Sequence, residues 1–214
     1  MDMINRSRLI VANVIGVLVI CFFIAAGAYF YYENSNFLKT EDAVVAADMM
    51  PVVAPAQGVL TSWNIQEGND VSDKNIVGGV SDGTKVIPVS SRMKGKVIKN
   101  EARAGEPVQA GQVLAQEADM DHLYVVANIK ETRLKDIKIG QSVDITVDGD
   151  PDTKFEGVVK TIGYATNSVF SVLPQQGATG SYTKVTQKIP VKISINQASS
   201  KVLPGMNAEV KISL

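Results

Sequence analysis

One passage occurs twice in this chain, and that repetition limits the fold more than any other feature. The stretch 53–77, VAPAQGVLTSWNIQEGNDVSDKNIV, returns at 90–114 as SSRMKGKVIKNEARAGEPVQAGQVL. Gly58 matches Gly95, Gly68 matches Gly105, Val71 matches Val108 and Ile76 matches Val113, every pair 37 residues apart. Self-similarity at a fixed spacing points to two copies of one structural unit. In each copy, glycines suited to tight turns alternate with β-branched residues suited to short strands. The pattern predicts two half-motifs that pack on each other as a small β-sandwich.

Upstream, Arg6 and Arg8 precede a run from Leu9 to Phe30 that holds no charged residue. At ~1.5 Å per residue, such a run crosses a hydrocarbon core of ~30 Å. Tyr29, Tyr31 and Tyr32 stand where an interfacial aromatic belt belongs, and the leading arginines place the N-terminus in the cytoplasm. A cleaved signal peptide is the rival reading, because Ala26-Gly27-Ala28 has the small-x-small form. Its apolar core would be longer than the usual ~7–15 residues. A lipoprotein signal would use Cys21, but Ile20 is too bulky just before it. The expected organisation is 1–8 cytoplasmic, 9–30 transmembrane, and 31–52 a polar connector (Glu33 to Lys39) with a first strand at Thr40–Ala47. A β-sandwich at 53–118 and a β-barrel at 119–214 follow.

The halves of the sandwich are separated only by Gly78–Val89, where Ser81-Asp82-Gly83-Thr84 signals a turn. After it come strand patterns at His122–Ile129, Ser142–Val147, Phe155–Ile162, Val185–Ile195 and Ala208–Leu214. Lys130–Ile139 has helical spacing, closed by Gly140, and Thr166–Ser181 reads as a loop. Short strands around one short helix suggest a small barrel, completed by the early strand at Thr40–Ala47.

A net charge of −1, with both signs interspersed, argues against nucleic acid as a partner. Catalytic machinery is hard to assemble from these residues. His122 is the one histidine; Asp119 and Asp121 flank it, yet a zinc site needs further ligands. No nucleophile motif, phosphate-binding glycine loop or thiol outside the apolar run is present. No cofactor or metal site is expected.

Paired half-motifs of this kind resemble biotinyl and lipoyl domains, whose modified lysine sits on the hairpin between the halves. Lys85 lies there without the flanking signature, and Lys94 sits at the wrong turn, just before Gly95. The whole order is more specific. It comprises the apolar anchor, Thr40-Glu41-Asp42-Ala43-Val44-Val45, Ala54-Pro55-Ala56-Gln57-Gly58, Ala127-Asn128-Ile129-Lys130-Glu131 with Leu134, Gly140-Gln141-Ser142-Val143, Phe155-Glu156-Gly157-Val158-Val159, Lys184-Val185-Thr186-Gln187-Lys188-Ile189-Pro190-Val191 and Leu203-Pro204-Gly205-Met206. It resembles the membrane fusion proteins, or periplasmic adaptor subunits, of the HlyD/EmrA type. The resemblance implies a mainly β protein with an N-terminal transmembrane helix, a lipoyl/biotinyl-like β-sandwich of two half-motifs, and a small β-barrel with one short helix. It implies a non-catalytic, single-pass subunit of the inner membrane with its C-terminal domains extracytoplasmic. Such a subunit serves a multidrug efflux or export system, partners a major facilitator or ABC-type transporter, and forms a homo-oligomer. Arg103, Gly105 and Glu106, at one turn of the second half, are candidate partner-contact residues. Two other functions are open: an extracytoplasmic binding or sensor domain without a pump, and a lipoyl- or biotin-type carrier.

The chain departs from that family in two places. Most members carry a long α-helical hairpin between the lipoyl halves, where this chain has twelve residues that extend ~40 Å at most, and half that as a returning hairpin. A cell without an outer membrane, a bridging subunit, or a deletion would each account for it. Ser91-Arg92 also replaces the usual Ala-Pro of the second half.

Overall fold

A computed structural model describes residues 2–170 and 186–214. Helix α1 runs over Asp2–Asn36. Strand β1 starts at the next residue and covers Phe37–Ala46. The polar connector expected at Glu33–Lys39 is therefore absent. Glu33 forms ion pairs with Lys39 and Lys211, both at 3.3 Å, so its charge holds the helix end against the barrel. Tyr32 meets the Phe37 ring edge-on, Lys211 Nζ lies 3.9 Å from the centre of that ring, and Leu214 N donates to Asn36 O at 2.9 Å.

The sandwich is built from β2 (Met49–Val53), β3 (Gly58–Trp63), β4 (Asp70–Val71), β5 (Ile76–Ser81), β6 (Val86–Ser90), β7 (Gly95–Asn100), β8 (Pro107–Val108) and β9 (Val113–Ala118). Strands β2 to β5 reappear as β6 to β9 at the same spacing of 37. The structural repeat is thus longer than the sequence repeat. It begins at Met49 and Val86 and leaves only Asp82–Lys85 between the copies. One sheet has the order β2-β9-β7-β4 and the other β6-β5-β3-β8. The halves do not stack as separate sheets, because each lends its first strand and its two-residue strand to the sheet of the other.

Hydrogen bonds between the halves follow an approximate twofold. Gly68 N donates to Val97 O, and Gly105 N to Leu60 O; Lys74 N donates to Ser91 O, and Gly111 N to Ala54 O. The end residues of β3 and β7 meet directly, Trp63 Nε1 donating to Asn100 Oδ1 at 2.9 Å. A core of aliphatic residues including Val52, Leu60, Val80, Val97 and Leu114 fills the space between the sheets.

Two exceptions to the symmetry are informative. Lys74 has φ 63°, where its counterpart Gly111 has φ 82°. A side chain in the left-handed region costs ~1–2 kcal/mol, offset in part by the larger entropy loss of glycine on folding. Lys74→Gly is expected to stabilise the sandwich by about 0.5–1 kcal/mol, seen as a melting temperature higher by a few degrees. An unchanged or lower value would mean that the lysine side chain supplies a compensating contact.

The second exception is Glu117, fully buried on β9 where β5 carries Val80. Its Oε2 accepts from Ser91 Oγ at 2.9 Å and Arg92 N at 3.3 Å, while Oε1 has no hydrogen-bond partner. The counterparts of Ser91 and Arg92 are Ala54 and Pro55. Where the first half has a proline without an N–H, the second has an arginine whose N–H needs an acceptor, and Glu117 supplies it. The departure from Ala-Pro noted in the sequence is therefore coupled to a buried carboxylate.

The barrel comprises β1, β10 (Tyr124–Lys130), β11 (Ser142–Val147), β12 (Asp150–Ile162), β13 (Lys188–Ile195) and β14 (Asn207–Ser213), closed in the order β1-β10-β13-β12-β11-β14. The early strand completes it as expected, pairing with both β10 and β14. Alternate residues point inward, such as Val143, Ile145 and Val147 on β11 and Ala208, Val210 and Ile212 on β14. Lys130–Ile139 is not an α-helix. Glu131–Asp136 forms a 3-10 helix that ends at the extended Ile137, and Gly140 (φ 92°) closes a separate turn. The loop expected at Thr166–Ser181 begins with a 3-10 turn at Asn167–Phe170, and its remainder lies outside the described residues.

Antiparallel strands give the barrel two unlike ends. At one end α1 enters β1, β10 passes through 130–141 into β11, and β12 and β13 finish and start. The other end carries the links to the sandwich, with Asp119 N donating to Asp48 O at 2.9 Å.

Candidate partner-binding surfaces

The described residues contain no group of three or more His, Cys, Asp or Glu side chains able to hold a metal ion. His122 Nδ1 lies 2.7 Å from Asp119 Oδ2, and this contact raises the pKa of the imidazole. Asp121 instead binds Lys94 at 2.7 Å. Together the two pairs brace the link between sandwich and barrel. Lys94 is thereby placed at the base of the sandwich, whereas Lys85 closes the turn at its tip. In that turn Asp82 Oδ1 accepts from Thr84 Oγ1 and from the N–H groups of Thr84 and Lys85, at 2.6–2.9 Å. The Thr84 hydroxyl, then these N–H groups, bring the Asp82 carboxyl down to about 2.

Arg103, Gly105 and Glu106 share one turn beside the approximate twofold axis. Gly105 has φ 90° and Glu106 Oε2 accepts from Arg103 N at 3.1 Å, as Asn69 Oδ1 accepts from Gln66 N in the matching turn. Gly105 and Glu106 thus shape the turn itself. The exposed Arg103 guanidinium has no ion-pair partner among the described residues. It lines a shallow groove with Gln66, Glu67, Asn100, Glu101 and Glu106.

At the barrel end that receives α1, Asp42 sits at a β-bulge in β1. It accepts from Asn128 Nδ2 at 2.9 Å and Lys188 Nζ at 2.6 Å, and these bonds, Asn128 first, lower its pKa. A cavity of 830 Å³ opens between the last turn of α1 and this part of the barrel, bordered by Phe30, Phe37, Glu41, Lys130 and Arg133. Sequence reading missed the Asp42–Asn128–Lys188 network. Its members are far apart in the chain, although Asp42, Asn128 and Lys188 each stand in a motif that carries the family resemblance.

Residues 15–36 of α1 are long and apolar enough to cross a membrane, and their apolar stretch is not buried against the rest of the chain. Two sequence profiles match the remainder, "YhbJ, barrel-sandwich hybrid domain" at residues 48–119 and "YknX-like beta-barrel domain" at 123–212. YhbJ of Bacillus subtilis (strain 168), provisionally named an efflux system component, is 53% identical over 98% of this chain and 94% of its own length. This chain is a membrane fusion protein of the YhbJ family.

The "Multidrug export protein EmrA" of Escherichia coli (strain K12) is 37% identical over 56% of this chain but only 30% of its own length. Among solved structures, ZneB from Cupriavidus metallidurans superposes with a TM-score of 0.62 at 16% identity, covering 84% of this chain and 99% of that one. The periplasmic adaptor protein EmrA gives 0.54 at 14%, covering 83% and 98%. At such identities the structures establish a shared fold. A match over nearly all of YhbJ means that this relative, too, has no room for a long inserted hairpin. The short tip is therefore shared with this relative.

Proposed function

We propose that this chain is the non-catalytic, membrane-anchored adaptor of an efflux system, partnered with a major facilitator or ABC-type transporter of the inner membrane. Its N-terminus lies in the cytoplasm and both β units lie outside. Helix α1 packs beside transporter helices, the barrel rests on the transporter's outer face, and the sandwich associates with copies of itself through the turn bearing Arg103. The observation that carries this reading is the combination of an uncovered apolar helix with the full barrel-sandwich and barrel of a family whose named members are efflux components. A tip reduced to a four-residue turn supports an adaptor that acts close to its own membrane.

Two measurements test it. Full-length protein purified in mild detergent is expected to bring down a transporter and to give an oligomer by native mass. Deleting the gene is expected to sensitise cells to that transporter's substrates. Arg103→Glu is expected to shift the oligomer toward monomer at unchanged melting temperature, because the side chain is exposed and supports nothing within the fold. Recovery without any transporter, combined with unchanged sensitivity, would sink the adaptor reading. An unaltered oligomer in the variant would remove Arg103 from the contact.

A further inference from the structure

The adaptor reading seats the barrel on the transporter's outer face and leaves open which part of the α1 end meets lipid. Between β10 and β11, residues 130–138 carry Lys130, Arg133, Lys135 and Lys138 against Glu131 and Asp136. Arg133 is engaged by Asp136 at 3.1 Å. Lys130, Lys135 and Lys138 are exposed and have no ion-pair partner among the described residues. Ile139, the residue after Lys138, is 67% exposed, and Tyr164, just past the end of β12 at the same end of the barrel, is fully exposed. Exposed apolar side chains at the same barrel end as unpaired lysines suit a partner that is apolar and anionic at once.

The register of the barrel puts these residues at the same end. Lys130 pairs with Lys188 at the start of β13, Ile162 pairs with Val191, and Val143 pairs with Ile212 near the end of β14. β14 in turn meets Phe37, where α1 hands over to β1. At ~1.5 Å per residue, Phe37 lies only ~8 Å along the helix from Tyr32, the last residue of the aromatic belt. That distance is about one Debye length at physiological salt. Of this rim, Lys130 also borders the cavity beside α1.

We infer that the rim formed by Lys130, Lys135, Lys138, Ile139 and Tyr164 rests on the headgroups of an anionic bilayer, the same membrane that α1 crosses. The lysines meet lipid phosphates, while Ile139 and Tyr164 enter the interfacial layer, where amphipathic and apolar side chains are favoured. The inference rests on α1 being a membrane anchor, and it goes beyond that reading by giving the barrel a lipid contact of its own. Each cation near an anionic surface shifts such an equilibrium by roughly fivefold.

Full-length protein reconstituted in vesicles provides the test. A bimane fluorophore is placed on native Cys21, or on cysteines from Ile139→Cys or Thr84→Cys in a Cys21→Ala background. Quenching by lipids carrying a nitroxide in the chain or at the headgroup reports where each probe sits. In vesicles containing phosphatidylglycerol, the position 21 probe is expected to be quenched from the chain region. The position 139 probe is expected to be quenched from the headgroups severalfold more than the position 84 probe at the tip. Replacing Lys130, Lys135 and Lys138 with glutamine, or using phosphatidylcholine alone, is expected to bring position 139 down to the level of position 84. If position 139 matches position 84 throughout while position 21 is in lipid, the rim faces water or a protein partner and the proposal is overturned. Quenching at 139 that ignores both lipid charge and the lysine replacements overturns it as well. A probe at 21 that stays out of the lipid removes the anchor reading and this proposal together, a result distinct from the other two.

Discussion

Gly58→Ala and Gly95→Ala are each expected to destabilise the sandwich by about 3 kcal/mol, the upper end for overpacking of a close backbone contact. A methyl group at Gly58 would overlap the carbonyl of Ser81, and one at Gly95 the carbonyl of Ala118. These two carbonyls occupy matching positions in the repeat, so the same constraint is imposed twice. Backbone cannot swing aside as a side chain can, and Ser81 and Ala118 end the strands that join the sandwich to its tip and to the barrel. For a unit of this size the loss corresponds to a fall in melting temperature of roughly 15 °C. Gly83→Ala is the comparison. Gly83 has φ 93° but nothing within 4 Å of the added carbon, so it should lose only about 1 kcal/mol of backbone preference. Calorimetry of the three variants decides the matter; equal losses at 58, 95 and 83 would mean that close approach is not what excludes a side chain.

Ser91→Ala is expected to cost about 2 kcal/mol, because it removes a hydrogen bond from a buried carboxylate that already has one unpartnered oxygen. Importing the first half's solution at all three positions, with Ser91→Ala, Arg92→Pro and Glu117→Val together, should recover that loss or exceed wild-type stability. Replacing both partners with apolar groups removes the desolvation penalty along with the bond. Chemical denaturation of the single and triple variants measures the coupling. A triple variant no more stable than Ser91→Ala alone would show that Glu117 is not the acceptor that Ser91 and Arg92 serve.

The repeat made much of the sandwich legible, because glycines at a fixed spacing report the same close approaches in both copies. It did not reveal that β2 and β4 exchange with β6 and β8, since the pattern within a strand does not say which sheet that strand joins. Nor did it reveal the fate of Glu117, which in sequence looks like any strand charge. Only its alignment with Val80 marks it as a core position. The barrel strands showed a clean period of two, and their ends differ from expectation by a few residues. Glu33, Asn34 and Ser35 suggested a connector because they are polar. Their real setting depends on Lys211, distant in sequence but beside Glu33 in space. Of the candidate contact residues, Gly105 and Glu106 were visible because they build a turn, and that is also why Arg103 is left as the side chain free to meet a partner. The rim beside α1 was not legible, since 130–139 looked like an amphipathic helix and its position depends on barrel closure.

The direct passage from Asn36 to Phe37 has a mechanical consequence. A flexible tether would let an anchor spin and tilt while its outer portion stayed still. Here the helix end is gripped by Lys39 and Lys211 through Glu33, by the Leu214–Asn36 hydrogen bond and by the Phe37 ring. Torque applied to α1 is therefore expected to reach the barrel through these contacts, and the sandwich through the link at Asp48 and Asp119.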